Sequence, residues 1–86
     1  MEIAFSETAQ DDIVFWKQTG NVAIQDRISK LLKDIKEHPF LGIGKPERLR
    51  HNLSGFWSRR ITGEHRLIYK VDGELIVVIS CRFHYQ

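Results

Sequence analysis

The chain has 86 residues and a formal net charge of +2, with 42% hydrophobic and 28% charged residues. One small domain covering residues 1–86 fits this length, and the composition excludes a disordered polar tail. No apolar run approaches the ~20 residues of a membrane span and no signal peptide is evident, so we expect a cytoplasmic protein with no membrane partner.

The first half of the chain predicts a short strand followed by two helices. Residues 3–5 are expected to form the strand, and Ser6 or Thr8 can cap the first helix. Asn21 can cap the second helix, which is expected to stop before Pro39. Apolar residues recur three and four positions apart in both helices, at Ala9, Ile13 and Trp16 and then at Ile24, Ile28, Leu31, Leu32 and Ile35. The two helices are therefore predicted to form a hairpin that covers a sheet.

Residues 39–46 form the only long connection between the predicted elements. The sequence Gly42-Ile43-Gly44 within it is not a dinucleotide-binding fingerprint, because Glu47 occupies the position of the third glycine. We therefore expect a flexible loop that leads to Glu47.

The second half is predicted to be β-structure, with strands at residues 48–51, 56–61, 66–71 and 74–83. Asp72-Gly73 favours a two-residue type I′ turn, which would pair Tyr69 with Ile76. Cys81 lies in the last of these strands and is expected to be a small buried residue without an internal disulfide. The complete prediction is an α+β fold in the order β-α-α-β-β-β-β, with a two-helix hairpin on a mainly antiparallel sheet of four to five strands.

The preceding hairpin can form in two registers, which place the arginines differently. A two-residue turn at residues 63–64 would pair Arg60 with Leu67 and put Arg60 on the apolar face. A shift of one residue pairs Arg60 with Arg66 and puts both on the open face. Because a slip of one residue moves every side chain to the other face, burial favours the second register. Directly opposed arginines repel each other unless an anion lies between them.

Charge is unevenly distributed along the chain. Residues 1–44 carry a formal charge of −2, whereas residues 45–86 carry +4. The basic side chains of this second half are Lys45, Arg48, Arg50, Arg59, Arg60, Arg66, Lys70 and Arg82. Such asymmetry favours a polyanionic partner bound by the second half, and a solvated basic face of the sheet is the alternative interpretation.

His84 and Tyr85 follow directly after the most apolar predicted strand. A histidine there is either part of a packed strand end or a proton donor held at the rim of a rigid sheet. No metal-binding spacing or serine-nucleophile motif occurs, so neither a metal nor another cofactor is expected. A loop glutamate, strand arginines and this histidine suffice for acid–base cleavage of RNA, because RNA supplies its own 2′-hydroxyl nucleophile.

Four segments carry a family resemblance: Lys45-Pro46-Glu47, residues 51–61, residues 64–69 and residues 81–85. They resemble the YoeB/Txe family of bacterial toxins, which belongs to the RelE-like superfamily, and the resemblance covers nearly the whole chain. It implies a ribosome-dependent mRNA endoribonuclease that inhibits translation without a metal and leaves 2′,3′-cyclic phosphate and 5′-hydroxyl ends. It also implies neutralisation by a cognate YefM-like antitoxin within a type II toxin–antitoxin system.

The resemblance also implies roles for individual residues. Glu47 corresponds to the general base, His84 to the general acid and Arg66 to the arginine that stabilises the transition state. The positions with implied substrate-binding roles are Arg60, Tyr85, Lys45, Arg50 and Glu64.

Three positions depart from the family pattern. Arg48 stands where a proline is common, Arg50 stands where a lysine is common, and Gln86 extends the chain beyond Tyr85. Both arginines keep the site positive, although an arginine cannot titrate as a lysine can.

Two alternatives from other functional classes stay open. The first is a ribosome-binding translation inhibitor that uses the same basic face without cutting RNA. The second is a toxin-like subunit that acts chiefly in DNA-bound repression with its antitoxin. Because the sequence shows no helix-turn-helix, any contact with DNA is expected only indirectly, through the antitoxin complex.

Overall fold

In the computed structural model, which describes residues 1–83, two helices cover one face of a five-stranded mixed sheet. The helices and strands are β1 (Glu2–Phe5), α1 (Glu7–Gln18), α2 (Val22–Glu37), β2 (Glu47–Arg48), β3 (Phe56–Arg60), β4 (Arg66–Asp72) and β5 (Leu75–Ser80). A single turn of 3₁₀ helix (His51–Leu53) lies between β2 and β3. The predicted α+β fold and its element order are confirmed.

Side-chain caps set where both helices begin. The Ser6 hydroxyl accepts a hydrogen bond from the Ala9 backbone N–H at 3.0 Å, so Ser6 rather than Thr8 caps α1. The Asn21 side chain accepts from the Ile24 N–H at 3.1 Å and caps α2, as predicted. α2 ends at Glu37, before Pro39. Neither helix in the described part of the chain is long and apolar enough to cross a membrane.

The apolar stripes of the two helices pack on the sheet. The residues of α1 and α2 that are buried in the core are Ala9, Trp16, Ile24, Ile28, Leu31 and Ile35. They meet Leu67, Tyr69, Ile76, Val78 and Cys81 from the sheet side. Burial raises the pKa of the Cys81 thiol to about 12, which fits its predicted character as a small buried residue.

The sheet order is β1-β5-β4-β3-β2, with β1 parallel to β5 and every other neighbouring pair antiparallel. In the β3–β4 pair Trp57 lies opposite Tyr69 and Arg60 lies opposite Arg66. The second of the two predicted registers is therefore correct. It leaves Arg60 and Arg66 on the face of the sheet opposite the helices.

The β4–β5 hairpin differs from its predicted register by two residues. Tyr69 lies opposite Val78, not Ile76, and Asp72 pairs with Leu75. The turn therefore has Gly73 at its first central position, where φ is +60°, and the type I′ turn at Asp72-Gly73 was a wrong prediction. A slip of two residues keeps each side chain on its face, so burial does not distinguish the two registers.

Two predicted strands are too long. β2 ends at Arg48, and the chain turns at His51, which has a φ of +61°, instead of continuing as a strand to that residue. β5 ends at Ser80, because the next backbone N–H, that of Cys81, donates to the Asp12 carboxylate at 2.9 Å rather than to a neighbouring strand.

Candidate active site

A buried arginine holds the loop that precedes Glu47. Arg59 faces the core from β3 and is 0% exposed, and its guanidinium pairs with the Asp34 carboxylate of α2. The same guanidinium donates to loop carbonyl oxygens at His38, Leu41 and Ile43. Its Nε donates to the Tyr69 hydroxyl at 3.2 Å, and that hydroxyl donates to the Pro39 carbonyl at 2.7 Å. Buried donors therefore hold the backbone of the loop that was expected to be flexible.

The loop approaches this cluster closely because of its glycines. At Gly42 φ is +121°, and a Cβ atom there would lie 2.0 Å from an Asp34 carboxylate oxygen. The Asp34 carboxylate in turn accepts from the Ile43 N–H at 3.1 Å. Donation from Arg59 holds the pKa of Asp34 below its ordinary value of 3.8. The ionised Asp34 thus links α2 to the loop and to β3.

The loop delivers Glu47 to the open face of the sheet, beside Arg66. Glu47 pairs with Ser58 across β2 and β3, and Arg66 lies on the next strand, β4. Arg66 Nη1 is 3.6 Å from Glu47 Oε2 and 3.4 Å from the Ser58 hydroxyl. The structure therefore brings together two of the residues predicted to be catalytic, a carboxylate and a guanidinium.

The two members of this pair differ in accessibility. The Glu47 side chain is 65% exposed, whereas that of Arg66 is 19% exposed. Ser58 on β3 and Ile68 on β4 are both buried, so solvent does not reach Arg66 from the sheet beneath it. A partly buried cation interacts more strongly with an anion than a fully solvated one does. The arrangement is suited to binding a phosphate with a carboxylate alongside.

Arg60 lies next to this pair at the end of β3. It is directly opposite Arg66 in the ladder, and its side chain is exposed. Its backbone N–H donates to the Gly44 carbonyl at 2.7 Å, which joins this strand end to the loop. Within residues 1–83, no carboxylate lies within ion-pair distance of the Arg60 guanidinium.

Three further predicted site residues lie on the segments before and after β2 and in the turn between β3 and β4. Lys45 is exposed in the loop with a φ of +51°, two residues before Glu47, and Arg50 is exposed just beyond β2. Glu64 lies in the turn between β3 and β4, where its carboxylate is 3.0 Å from His65 Nε2. His84 and Tyr85 lie outside the described residues.

The chain that leads to His84 is held at Phe83. The Phe83 N–H donates to His65 Nδ1 at 2.8 Å, and the Arg66 N–H donates to the Phe83 carbonyl at 3.1 Å. Arg66 therefore contacts Glu47 through its side chain and the C-terminal segment through its backbone. The sequence alone ascribed no site role to His65.

No group of three His, Cys, Asp or Glu side chains that could hold a metal ion occurs in residues 1–83.

One basic residue does not belong to the exposed surface predicted from charge. Arg59 was counted with the basic half, but it is buried and paired with Asp34. The alternation of side chains along β3 could have predicted this burial. Arg59 lies two residues from both Trp57 and Ile61, so all three side chains share the core face. A buried arginine needs a carboxylate partner, and Asp34 is the partner of Arg59. Arg59 therefore has a structural role and does not belong to the exposed basic surface.

Comparison with known proteins identifies close relatives along the whole chain. A family model for the YoeB-like toxin of bacterial type II toxin-antitoxin systems matches residues 5–85. Toxin YoeB of Escherichia coli (strain K12) is 48% identical over 85 residues, which are 99% of this chain and 100% of that protein. The solved YoeB/ParE toxin from Agrobacterium tumefaciens has a TM-score of 0.95 at 42% identity, with 99% of this chain and 100% of that chain covered. A heterotetrameric YoeB-YefM toxin-antitoxin complex from Staphylococcus aureus contains a chain with a TM-score of 0.88 at 44% identity, with 96% and 95% covered.

Proposed function

Because the chain belongs to the YoeB-like toxins of bacterial type II toxin-antitoxin systems, we propose that it is an endoribonuclease that cleaves mRNA on the ribosome. The observation that supports this activity best is the position of Glu47 beside Arg66 on the open face of the sheet. Cleavage by the RNA 2′-hydroxyl requires a base, which Glu47 of β2 can supply, and a phosphate-binding cation, which Arg66 of β4 can supply.

In the proposed reaction Glu47 is the general base. It takes the proton from the 2′-hydroxyl, and the 2′-oxygen then forms a bond to the adjacent phosphorus. The 3.6 Å separation from Arg66 is longer than a hydrogen bond, so this arginine does not occupy the lone pair of the Glu47 oxygen. Its exposed carboxylate is accessible to a bound RNA strand.

The arginines stabilise the charge that develops on phosphorus. Arg66 and Arg60 leave the same face from directly opposed positions, so a phosphate between them reduces their mutual repulsion while they neutralise its charge. As the bond from phosphorus to the 5′-oxygen breaks, His84 gives that oxygen a proton. The products are a 2′,3′-cyclic phosphate and a 5′-hydroxyl, and no metal takes part in the step.

The substrate and the compartment follow from the same proposal. Lys45, Arg50 and Glu64 contact the mRNA strand or the ribosome, and Tyr85 stacks on a base of the substrate. The protein acts in the cytoplasm, where it blocks translation by destroying the message that the ribosome is reading.

We also propose a YefM-type antitoxin as the protein partner. The relative from Staphylococcus aureus forms a complex with YefM, and an acidic segment of such a partner would complement the +4 charge of residues 45–86. The apolar faces of both helices pack on the sheet, and the antitoxin would supply any contact with DNA.

Mapping of mRNA ends on purified ribosomes tests the activity. Ribosomes programmed with a defined mRNA are incubated with the wild-type chain or with Glu47→Gln, and new 5′ ends are located by primer extension. New ends with the wild type and none with the variant support the nuclease. If translation stops while the mRNA stays intact, the protein is the alternative, a ribosome-binding inhibitor that does not cut.

A further inference from the structure

Three side chains and one backbone hydrogen bond hold the chain beyond the end of β5. The Cys81 N–H donates to the Asp12 carboxylate at 2.9 Å, and Trp16 Nε1 donates to the Cys81 carbonyl at 2.9 Å. Two residues later, Phe83 is held at both of its backbone polar groups, by His65 Nδ1 and by the Arg66 N–H. The last described residue before His84 is therefore anchored to the strand that carries Arg66.

Phe83 adopts a conformation that needs this anchoring. Its φ is +62°, in the left-handed region that bulky residues rarely occupy. Such a conformation persists where surrounding contacts determine it more strongly than the local preference does. At Phe83 those contacts are the hydrogen bonds to His65 and Arg66 and the guanidinium of Arg82, which lies 4.6 Å from the Phe83 ring centroid.

His65 is oriented as a hydrogen-bond acceptor for Phe83. Its ring is buried against the Trp16 ring, with centroids 4.8 Å apart and planes at 82°. Nε2 faces the Glu64 carboxylate at 3.0 Å and carries the proton there, which leaves the lone pair of Nδ1 for the Phe83 N–H at 2.8 Å. Both contacts require the same tautomer, the neutral imidazole protonated at Nε2.

We propose that His65 is a positioning residue, which sets the placement of the catalytic His84 by holding Phe83. His84 is bonded directly to Phe83, and Arg66 binds the Phe83 carbonyl from the strand position next to His65. In this role His65 acts through Phe83, whose backbone it holds next to Arg66. This inference rests on the proposed function, because it is that function which makes His84 the acid.

Two substitutions of His65 distinguish the loss of the hydrogen-bond acceptor Nδ1 from the loss of the ring volume. His65→Leu keeps apolar volume against Trp16 but leaves the Phe83 N–H without its acceptor. His65→Asn loses the ring but places Oδ1 close to the position of Nδ1, where it can accept the same hydrogen bond. Ile28→Val, on the buried face of α2, is the control for a modest loss of stability away from the C-terminal segment.

Hydrogen exchange tests the anchor without any assay of cleavage. We expect the Phe83 amide to exchange about tenfold or more faster in His65→Leu than in the wild type, and His65→Asn to recover most of the protection. Core amides should lose no more protection in His65→Leu than in Ile28→Val. Unchanged exchange at Phe83 in His65→Leu would overturn the anchor. Imidazole nitrogen shifts in the wild type should show a protonated Nε2 and a bare Nδ1, and the opposite tautomer would equally contradict it.

Cleavage kinetics on ribosomes then test the consequence for catalysis. His65→Leu should lower kcat about 10- to 100-fold with KM within about twofold, because a displaced acid impairs the chemical step and not binding. His65→Asn should recover much of kcat, and Ile28→Val should cleave as the wild type does. Full activity of His65→Leu would refute the positioning role. If the wild type itself does not cleave, the proposed function fails, and the exchange data alone decide whether His65 anchors the segment.

Discussion

Arg60 lies directly opposite Arg66 across β3 and β4, so two arginine side chains project from paired positions on the open face of the sheet. Like charges placed opposite each other cost stability, by about 0.2–1 kcal/mol. Among residues 1–83, no carboxylate offsets the charge of Arg60, whereas Glu47 lies 3.6 Å from Arg66. The fold thus retains an unfavourable pair at the place where the proposed reaction binds a phosphate.

Replacing Arg60 should separate stability from binding. In Arg60→Gln we expect the free energy of unfolding at low salt to stay the same or rise by up to about 1 kcal/mol, because one of two repelling charges is removed. The affinity for mRNA-programmed ribosomes should fall, and its dependence on salt should weaken. Denaturant unfolding and ribosome binding at several salt concentrations measure both. Lys36→Gln, an exposed change on α2, is the control, and unchanged binding by Arg60→Gln would contradict an anion-binding role.

Removing the base should abolish cleavage while the fold is retained. Glu47→Gln should slow single-turnover cleavage by about 10²–10⁴-fold, the usual contribution of a general base. The melting temperature should change little, because the exposed ion pair with Arg66 contributes only about 0–1 kcal/mol. Glu74→Gln, in the exposed turn between β4 and β5, is the matched control. Cleavage by Glu47→Gln at the wild-type rate would exclude Glu47 as the base.

The buried pair of Arg59 and Asp34 should be essential for stability. Asp34→Asn leaves the Arg59 cation buried without its anion, and loss of one partner of a buried pair costs about 3–5 kcal/mol. We expect a value of about 3 kcal/mol, because the Asp34 side chain is 21% exposed. Asp26→Asn, exposed on the same helix, should change stability by less than about 0.5 kcal/mol. Urea unfolding compares them, and equal stabilities of the two variants would contradict the account of the loop.

The same pair predicts how stability changes with pH. The pKa of Asp34 is lowered in the folded chain, so the unfolded chain binds a proton here more readily. This contribution is complete above the ordinary pKa of 3.8 and is lost as pH falls through the lower pKa of the folded chain. The difference in unfolding free energy between the wild type and Asp34→Asn should therefore shrink as pH falls below about 4. A constant difference between pH 6 and pH 3 would refute the assignment.

The fold followed from the sequence where burial distinguished the alternatives. A slip of one residue between β3 and β4 would have buried Arg60, so the pairing of Arg60 with Arg66 was predictable. In the β4–β5 hairpin the competing registers differ by two residues, and each side chain keeps its face in both. Local turn preference then favoured Asp72-Gly73, but the observed turn starts at Gly73.

The sequence predicted the residues proposed to take part in the reaction, such as Glu47 and Arg66. It did not predict the residues that hold these parts of the chain in place. The pairing of Glu47 with Arg66 fits the family resemblance and the strand order. The roles of Arg59 and His65 were missed, because Arg59 was counted with the basic surface and no site role was ascribed to His65. Their roles depend on partners distant in sequence, Asp34 for Arg59 and Phe83 for His65, which only the folded chain brings together.

The termini of the cleaved RNA test the central claim most directly. Ribosomes programmed with a single mRNA are treated with the wild-type chain, and the 3′-side fragment is offered to polynucleotide kinase with and without prior phosphatase treatment. We predict a 5′-hydroxyl that accepts phosphate without phosphatase, together with a 2′,3′-cyclic phosphate on the other fragment. A 5′-phosphate on the fragment, or an mRNA that stays intact while translation stops, would contradict acid–base cleavage by Glu47 and His84.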